Sequence, residues 1–207
     1  KMARKMGLES PDVVYFEELV SGYTFFIVYG NCIHTVNYLS IEPDNNQISV
    51  YTKKQVENII TEKLKHEIVV IGASTGTDTH TVGIDSILNM KGNDGHYGLE
   101  RYSGFKVFNL GGQVSNELLL ARAIEVKAQA ILVSQTVTQQ RLHIHNLTQF
   151  VDMVEAEGIR DDVLLICGGP RITNELAKEL GYDVGFTKGS YSNHVATFIV
   201  NELISKQ

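Results

Sequence analysis

The residues best suited to chemistry lie in the stretch Gly76-Thr77-Asp78-Thr79-His80-Thr81-Val82-Gly83. Here an imidazole follows a carboxylate by two positions. A carboxylate that accepts the Nδ1 proton of histidine fixes the ring and leaves Nε2 free to donate to a metal. Gly83 removes a side chain where a large flat ligand needs close approach to the backbone. Downstream, Ser134-Gln135-Thr136 and Gly168-Gly169 each close another apolar run. An isolated Asp–His pair reads as a structural pair in a surface loop. A set of motifs, each at the end of a strand candidate, reads as a site.

The elements that must position these residues follow from hydrophobic periodicity. Ile68-Val69-Val70-Ile71 runs into Gly72 and reads as a buried strand. It delivers the Asp78–His80 loop to the carboxyl edge of a sheet, where open α/β sheets bind ligands. From residue 67 onward, strand candidates at 67–72, 105–110, 129–135, 163–168 and 183–186 alternate with helix candidates at 115–127, 147–157, 173–180 and 192–205. Ser115 and Thr173 stand as N-caps, and Gly158 and Gly181 as helix stops. Such alternation predicts an α/β fold with a parallel five-stranded sheet, helices on both faces and a flavodoxin-like (Rossmann-like) order.

The first 65 residues have a different pattern. Residues 1–10 are basic and polar, with the end of a helix expected there. The aromatic and β-branched run 23–29 stops at Gly30-Asn31 and resumes at 32–38, which predicts a hairpin turning at Gly30-Asn31. Residues 52–65 follow as a helix, with Val56, Ile59, Ile60 and Leu64 on one face. Residues 1–65 are therefore expected to form a small α+β domain, and residues 66–207 the Rossmann-like domain. Two strands and a helix make a thin core, so the first domain is expected to lean on a second copy of itself or on a partner. His34 is expected to sit in the hairpin without a chemical role.

Composition excludes several classes. The chain has 207 residues, is 43% hydrophobic and only 20% charged, so a packed core is expected and disorder is not. Its net charge is −6 with no basic run, which argues against nucleic acid, because phosphate neutralisation needs clustered Lys or Arg. No apolar run is long enough for a transmembrane helix, and no secretory signal pattern is seen. Cys32 and Cys167 lie in apolar runs. They read as buried small hydrophobes in a reducing compartment, the cytoplasm.

The connection after His80 is long. About 24 residues separate it from the strand at Phe105. Ile84, Ile87 and Leu88 mark a short helix with Lys91 at its end, and Gly92 and Gly95 break it. A helix running straight down the sheet would carry Lys91 about 15 Å from His80, at a rise of about 1.5 Å per residue. A helix lying across the rim keeps Lys91 on the ligand side, and the glycine break favours that path. His96 and Tyr97 either border a ligand or only shape this insertion, and Arg171 is expected to meet solvent.

The Asp-x-His-x-x-Gly, Ser-x-x and Gly-Gly set resembles the signature of cobalamin-binding domains. Thr136 departs from it, standing where leucine is usual. The resemblance implies that His80 replaces the cofactor's benzimidazole tail on cobalt. It further implies that Asp78, Thr81, Gly83, Ser134, Thr136, Gly168 and Gly169 surround the tail. His-Thr-Val-Gly-Ile-Asp, Asn-Met-Lys-Gly, Gly-His-Tyr-Gly-Leu-Glu-Arg-Tyr, Val-Ser-Gln-Thr-Val-Thr-Gln and Gly-Gly-Pro-Arg-Ile together are similar to the small (beta) subunit of lysine 5,6-aminomutase. D-ornithine 4,5-aminomutase is a related case, with the cobalamin domain fused to a barrel.

That family implies adenosylcobalamin and pyridoxal 5′-phosphate as cofactors. It also implies a large (alpha) TIM-barrel partner in an alpha2beta2 assembly paired through the small subunits. Lys91, eleven positions after His80 (91 − 80), matches the lysine that holds pyridoxal phosphate covalently. The implied reaction is radical migration of the terminal amino group of D-lysine or L-β-lysine to the adjacent carbon. A corrinoid carrier for methyl transfer is the competing expectation. It accounts for His80 and Gly168-Gly169 but not for the Lys91 insertion.

Overall fold

A computed structural model describes residues 2–5, 7–20, 23–32 and 49–206. The chain divides into two compact units, Lys1–Gln47 and Ile48–Gln207. In the first, a short helix α1 (Met2–Lys5) precedes strands β1 (Leu8–Val20) and β2 (Tyr23–Cys32). The strands pair antiparallel, from Leu8 opposite Cys32 to Val20 opposite Tyr23. Phe16 stacks on Phe26 and Tyr15 meets Phe25 edge-on, both cross-strand aromatic contacts.

The hairpin expected to turn at Gly30-Asn31 is therefore corrected: both residues lie inside β2. Gly30 serves close approach instead of a turn. A Cβ there would stand 3.0 Å from the Glu9 carbonyl oxygen and 3.2 Å from the Leu8 Cβ, beside the irregularity between Glu9 and Asp12. Cys32, expected in a core, is exposed. The expected strand beyond Cys32, and His34 with it, lie outside the described residues.

The second unit is built on five parallel strands: β3 (Ile68–Ser74), β4 (Phe105–Asn109), β5 (Ala130–Ser134), β6 (Leu164–Gly168) and β7 (Val184–Phe186). Their order is β4-β3-β5-β6-β7, the flavodoxin-like arrangement. The middle strands read as continuous apolar runs because both of their faces are covered. On one face pack α4 (Asn116–Val126), α5 (Leu142–Ala156) and α6 (Asn174–Glu179), around Leu119, Phe150 and Leu165. On the other pack α2 (Lys53–Ile59), α3 (Val82–Leu88) and α7 (Ser192–Ser205), around Val56, Leu88, Leu132 and Ile199. Among the described residues no helix is long and apolar enough to cross a membrane.

Two expected boundaries move. The helix expected to complete the N-terminal domain belongs to the second unit. Its start is closed by a Thr52–Gln55 capping box, and it continues as a π-helical turn, Ile60–Leu64. Val56, Ile60 and Leu64 bury themselves in the second unit's core, so the division falls at residues 47/48 instead of 65. Helix α5 starts at Leu142, a turn before the expected 147. His143 occupies the buried position one turn ahead of Leu147, and an imidazole does not register as an apolar residue in a periodicity count.

The register brings the motifs into line. Ser74 pairs with Ser134, Ser134 with Gly168, and Gly168 with Phe186, so every functional loop leaves the sheet from one row at its carboxyl edge. Helix α3 then seats on Gly72: a Cβ there would lie 2.9 Å from the terminal methyls of both Ile84 and Leu88 and 3.0 Å from the Leu132 Cβ. Substituting Gly72→Ala is expected to lift α3 and cost about 1–3 kcal/mol by overpacking. The check is a denaturant midpoint that falls with an unchanged slope.

Candidate functional site

The loop after β3 is tied down before it reaches His80. Ser74 Oγ donates to the His80 carbonyl at 2.8 Å. Gln135 Nε2 donates to the Thr75 carbonyl at 2.8 Å and to Thr75 Oγ1 at 2.7 Å. The Asp78 carbonyl accepts from the Gln113 amide at 2.9 Å. Ser74, Thr75 and Gln135 are buried, so these bonds form where water does not compete.

Asp78 is only 1% exposed, and its carboxylate is filled. Oδ1 accepts from the His80 backbone amide and from His80 Nδ1, each at 2.9 Å. Oδ2 accepts from the amides of Thr136 and Val137. Burial alone would push this carboxyl up. The Thr136 amide, the two His80 donors and the Val137 amide outweigh it and hold the group below the usual carboxylate range. An ionised carboxylate only accepts, so Nδ1 carries a proton, and in the neutral ring it is Nε2 that presents the lone pair. The His80 side chain is 59% exposed at the rim, open to a ligand.

His80 stands at the mouth of a cleft of about 400 Å³. The cleft also takes in Gly83, Ser134, Thr136, Gly168 and Gly169, so most of the residues singled out from the sequence meet there. Ile84, Leu132, Ile166 and Val195 make its walls apolar. Asp78 stands behind His80. Thr81 does not line the cleft; its methyl lies over Gly112, where a Cβ would come within 3.0 Å.

The glycines divide in purpose. A Cβ on Gly83 would meet only Ser134 Oγ at 3.5 Å, so it would fill ligand space and little else. A Cβ on Gly169 would lie 2.1 Å from the Gln135 carbonyl oxygen, so that glycine is required by the fold itself.

Lys91 lies on the same side of the sheet. Helix α3 has Gly83 in its first turn, beside Ser134 at the end of β5. It finishes where Asn109, the last residue of β4, donates to Asp85 Oδ1 at 2.6 Å and to Asn89 Oδ1 at 2.7 Å. It thus crosses over β3 along the carboxyl rim. Lys91 follows in an exposed turn, outside the cleft lining. His96 and Tyr97 shape the insertion: His96 stacks on Tyr191, and the Arg101 guanidinium lies 3.9 Å above the Tyr97 ring. Arg171 and His145 are exposed.

Sequence reasoning missed Ser74 and the far wall of the cleft, Thr187-Lys188-Gly189-Ser190, and gave Gln135 no role of its own inside the Ser134-Gln135-Thr136 motif. The available signal was position: Ser74 ends the strand that delivers the His80 loop, Gln135 sits between two chosen residues, and residues 187–190 close the last strand as the other motifs close theirs.

Residues 68–194 match the B12 binding domain family, and residues 1–44 match the dimerisation domain of D-ornithine 4,5-aminomutase. The unit with the His80 cleft is thus a B12 binding domain by both sequence and fold. The chain is 52% identical over 206 residues to the lysine 5,6-aminomutase beta subunit of Fusobacterium nucleatum, covering 100% of this chain and 78% of that one. It is 32% identical over 205 residues to the D-ornithine 4,5-aminomutase subunit beta of Acetoanaerobium sticklandii, covering 98% of this chain and 26% of that one. In fold it resembles the monomethylamine corrinoid protein of Methanosarcina barkeri, with a TM-score of 0.50 at 20% identity over 73% of this chain and 63% of that one. The chain belongs to the lysine 5,6-aminomutase beta subunit family.

The site fits cobalamin on its own chemistry. A neutral imidazole with a fixed tautomer offers one nitrogen to cobalt. The apolar cleft beside it, opened by Gly83, suits a flat aromatic tail, with Ser134 Oγ as a polar partner.

Replacing Asp78 by Asn puts an amide NH2 among backbone donors. The expected cost is about 1–3 kcal/mol of stability and about 10–100-fold in cofactor affinity. The folded-state pKa of Asp78 is lowered, so its contribution to stability is complete above the unfolded value of about 3.9 and is lost as pH falls through the folded value. The stability difference between wild type and Asp78→Asn should accordingly shrink below about pH 4. Denaturation curves across that range, with cobalamin titrations at neutral pH, check both parts.

Proposed function

We propose that this chain is the small subunit of an aminomutase that uses adenosylcobalamin and pyridoxal 5′-phosphate. With a large TIM-barrel partner it moves the terminal amino group of D-lysine or L-β-lysine to the adjacent carbon. The observation that carries the reading is an imidazole nitrogen open for cobalt and an exposed amine, Lys91, on one rim of one small unit. Kinship at 52% identity over the full chain supports it.

When bound, adenosylcobalamin supplies the 5′-deoxyadenosyl radical and pyridoxal phosphate carries the migrating nitrogen. The protein holds and orients. His80 Nε2 would ligate cobalt, Asp78 keeps the imidazole in one tautomer, and the Gly83–Ser134–Gly168 cleft would receive the tail. Lys91, as a neutral amine, would hold the coenzyme by its aldehyde and so link this chain to the partner.

The match of residues 1–44 to a dimerisation domain supports an alpha2beta2 assembly paired through the hairpin. So do the large apolar side chains on β1 and β2, with Phe16 at 69% and Tyr29 at 66% exposure. The cytoplasm is the proposed compartment. A corrinoid methyl carrier would use the same cleft, but it leaves an exposed lysine on a constructed insertion without a task.

The test is to purify the chain with its large partner and assay D-lysine and L-β-lysine for products aminated at carbon 5. Wild type is expected to form them. His80→Ala should leave benzimidazole on cobalt in the visible spectrum and abolish turnover. Lys91→Ala should bind cobalamin normally yet take no borohydride-trapped pyridoxal label. Cobalamin binding with no label on Lys91 in the wild type would favour the carrier.

A further inference from the structure

The turn that carries Lys91 is held by a residue a hundred positions away. Tyr191 opens α7, and its hydroxyl donates to Asp94 Oδ2 at 2.8 Å. Its ring stacks on His96, with centroids 4.2 Å apart and planes at 17°. Its own backbone amide donates to His194 Nδ1 at 3.1 Å, which fixes where the ring starts. The neighbouring Ser192 Oγ donates to the Tyr97 carbonyl.

Between these contacts lies a miniature hairpin. Asn93 and His96 exchange both backbone hydrogen bonds at 2.9 Å, and Asp94 and Gly95 turn it with φ of 50° and 79°. The hairpin bears directly on the lysine turn. The Gly92 amide donates to the Asn89 carbonyl at 2.9 Å, and a Cβ on Gly92 would lie 1.8 Å from the His96 carbonyl oxygen. A continuous line of contact runs from Tyr191 through Asp94 and His96 to Gly92 and so to Lys91.

We propose that Tyr191 is a positioning residue for Lys91: it docks the 93–96 hairpin on α7 and thereby presents the Lys91 amine from one fixed place on the rim. The proposal rests on the reading of Lys91 as the pyridoxal lysine and extends it to the residues that aim it. Two features separate this from ordinary packing. Residues 93–95 are exposed, so the hairpin is held from outside by polar and stacking contacts and not by a core. The clamp also joins two walls of the cleft, since Asn93 on one side and Ser190 on the other both line it.

The experiment uses the chain in complex with its large partner. It compares wild type, Tyr191→Phe, Asp94→Asn and Asp94→Ala. Tyr191→Phe keeps the stacked ring and removes one hydroxyl. Asp94→Asn keeps both an acceptor and tolerance of the left-handed backbone, so it serves as the conservative rescue.

Two readouts are taken: hydrogen exchange of residues 91–98, and borohydride-trapped label on Lys91 across a pyridoxal phosphate titration. Tyr191→Phe and Asp94→Ala are expected to speed exchange in the hairpin and to weaken labelling about tenfold, the size of one charge-assisted hydrogen bond. Asp94→Asn is expected to stay near wild type in both. Tyr191→Phe with wild-type labelling, whether or not its unfolding midpoint moves, would overturn the proposal and leave the pyridoxal reading intact. A wild type that takes no label on Lys91 would overturn the pyridoxal reading itself, and the proposal with it.

Discussion

A single buried carboxylate holds the working edge of this protein together. Asp78 is almost fully removed from water, and an ionised group there is tolerated only if every lone pair has a partner. The partners come from two connections: His80 from the loop after β3, and the amides of Thr136 and Val137 from the loop after β5. The parallel register makes this possible, since Ser74 and Ser134 leave the sheet side by side. The side chain that orients the imidazole is thus also the bolt between two loops. A longer Glu or a neutral Asn cannot do both at that distance. The ligand geometry of His80 and the integrity of the rim are therefore one property.

The cleft depends on what lies under that bolt. Its opening exists because Gly83 carries no side chain over Ser134. Its floor is apolar because β5 and β6 are buried strands whose last inward residues, Leu132 and Ile166, face the opening. Gly169 belongs to a different account. It admits the Gln135 carbonyl, and Gln135 in turn anchors Thr75 at the root of the His80 loop. Both residues of the Gly-Gly pair line the cleft, and only the second is also required by the backbone packed against it.

Much of this was legible in the chain, in proportion to how local each determinant is. The five strands, the Ser115 and Thr173 caps and the flavodoxin-like order follow from short periodic runs, and they fall within a few residues of expectation. The hairpin was misplaced because Gly30 answers a neighbouring strand, and a glycine for close approach looks in sequence like a glycine for turning. The domain boundary was misplaced because Val56, Ile60 and Leu64 show that a helix has an apolar face without showing which core it enters.

Within the site, Asp78 and His80 were evident as a pair. The reach of Asp78 to Thr136, 58 residues away, was not, because it depends on strand register. It also settles the status of Thr136. That residue supplies a backbone amide, which any residue except proline provides, so threonine in place of leucine leaves the bolt intact.

The rim path of Lys91, which the glycine break after it favours, rests in the structure on one asparagine. In an ordinary βαβ crossover the helix runs back along the sheet and ends at the amino edge. Here Asn109 gathers Asp85 and Asn89 to the carboxyl end of β4, while its own Oδ1 accepts from Gly111. Helix α3, anchored at Gly83 over β5 and at Asn89 beside β4, must lie across β3 and not along it. It is only seven residues long, which is enough to span the neighbouring strands and too short to descend the sheet and return. The insertion that follows therefore begins on the rim, meets the start of α7 and stays on the ligand side. The crossing is what keeps the imidazole of His80 and the amine of Lys91 together: without it they would leave the domain from opposite edges.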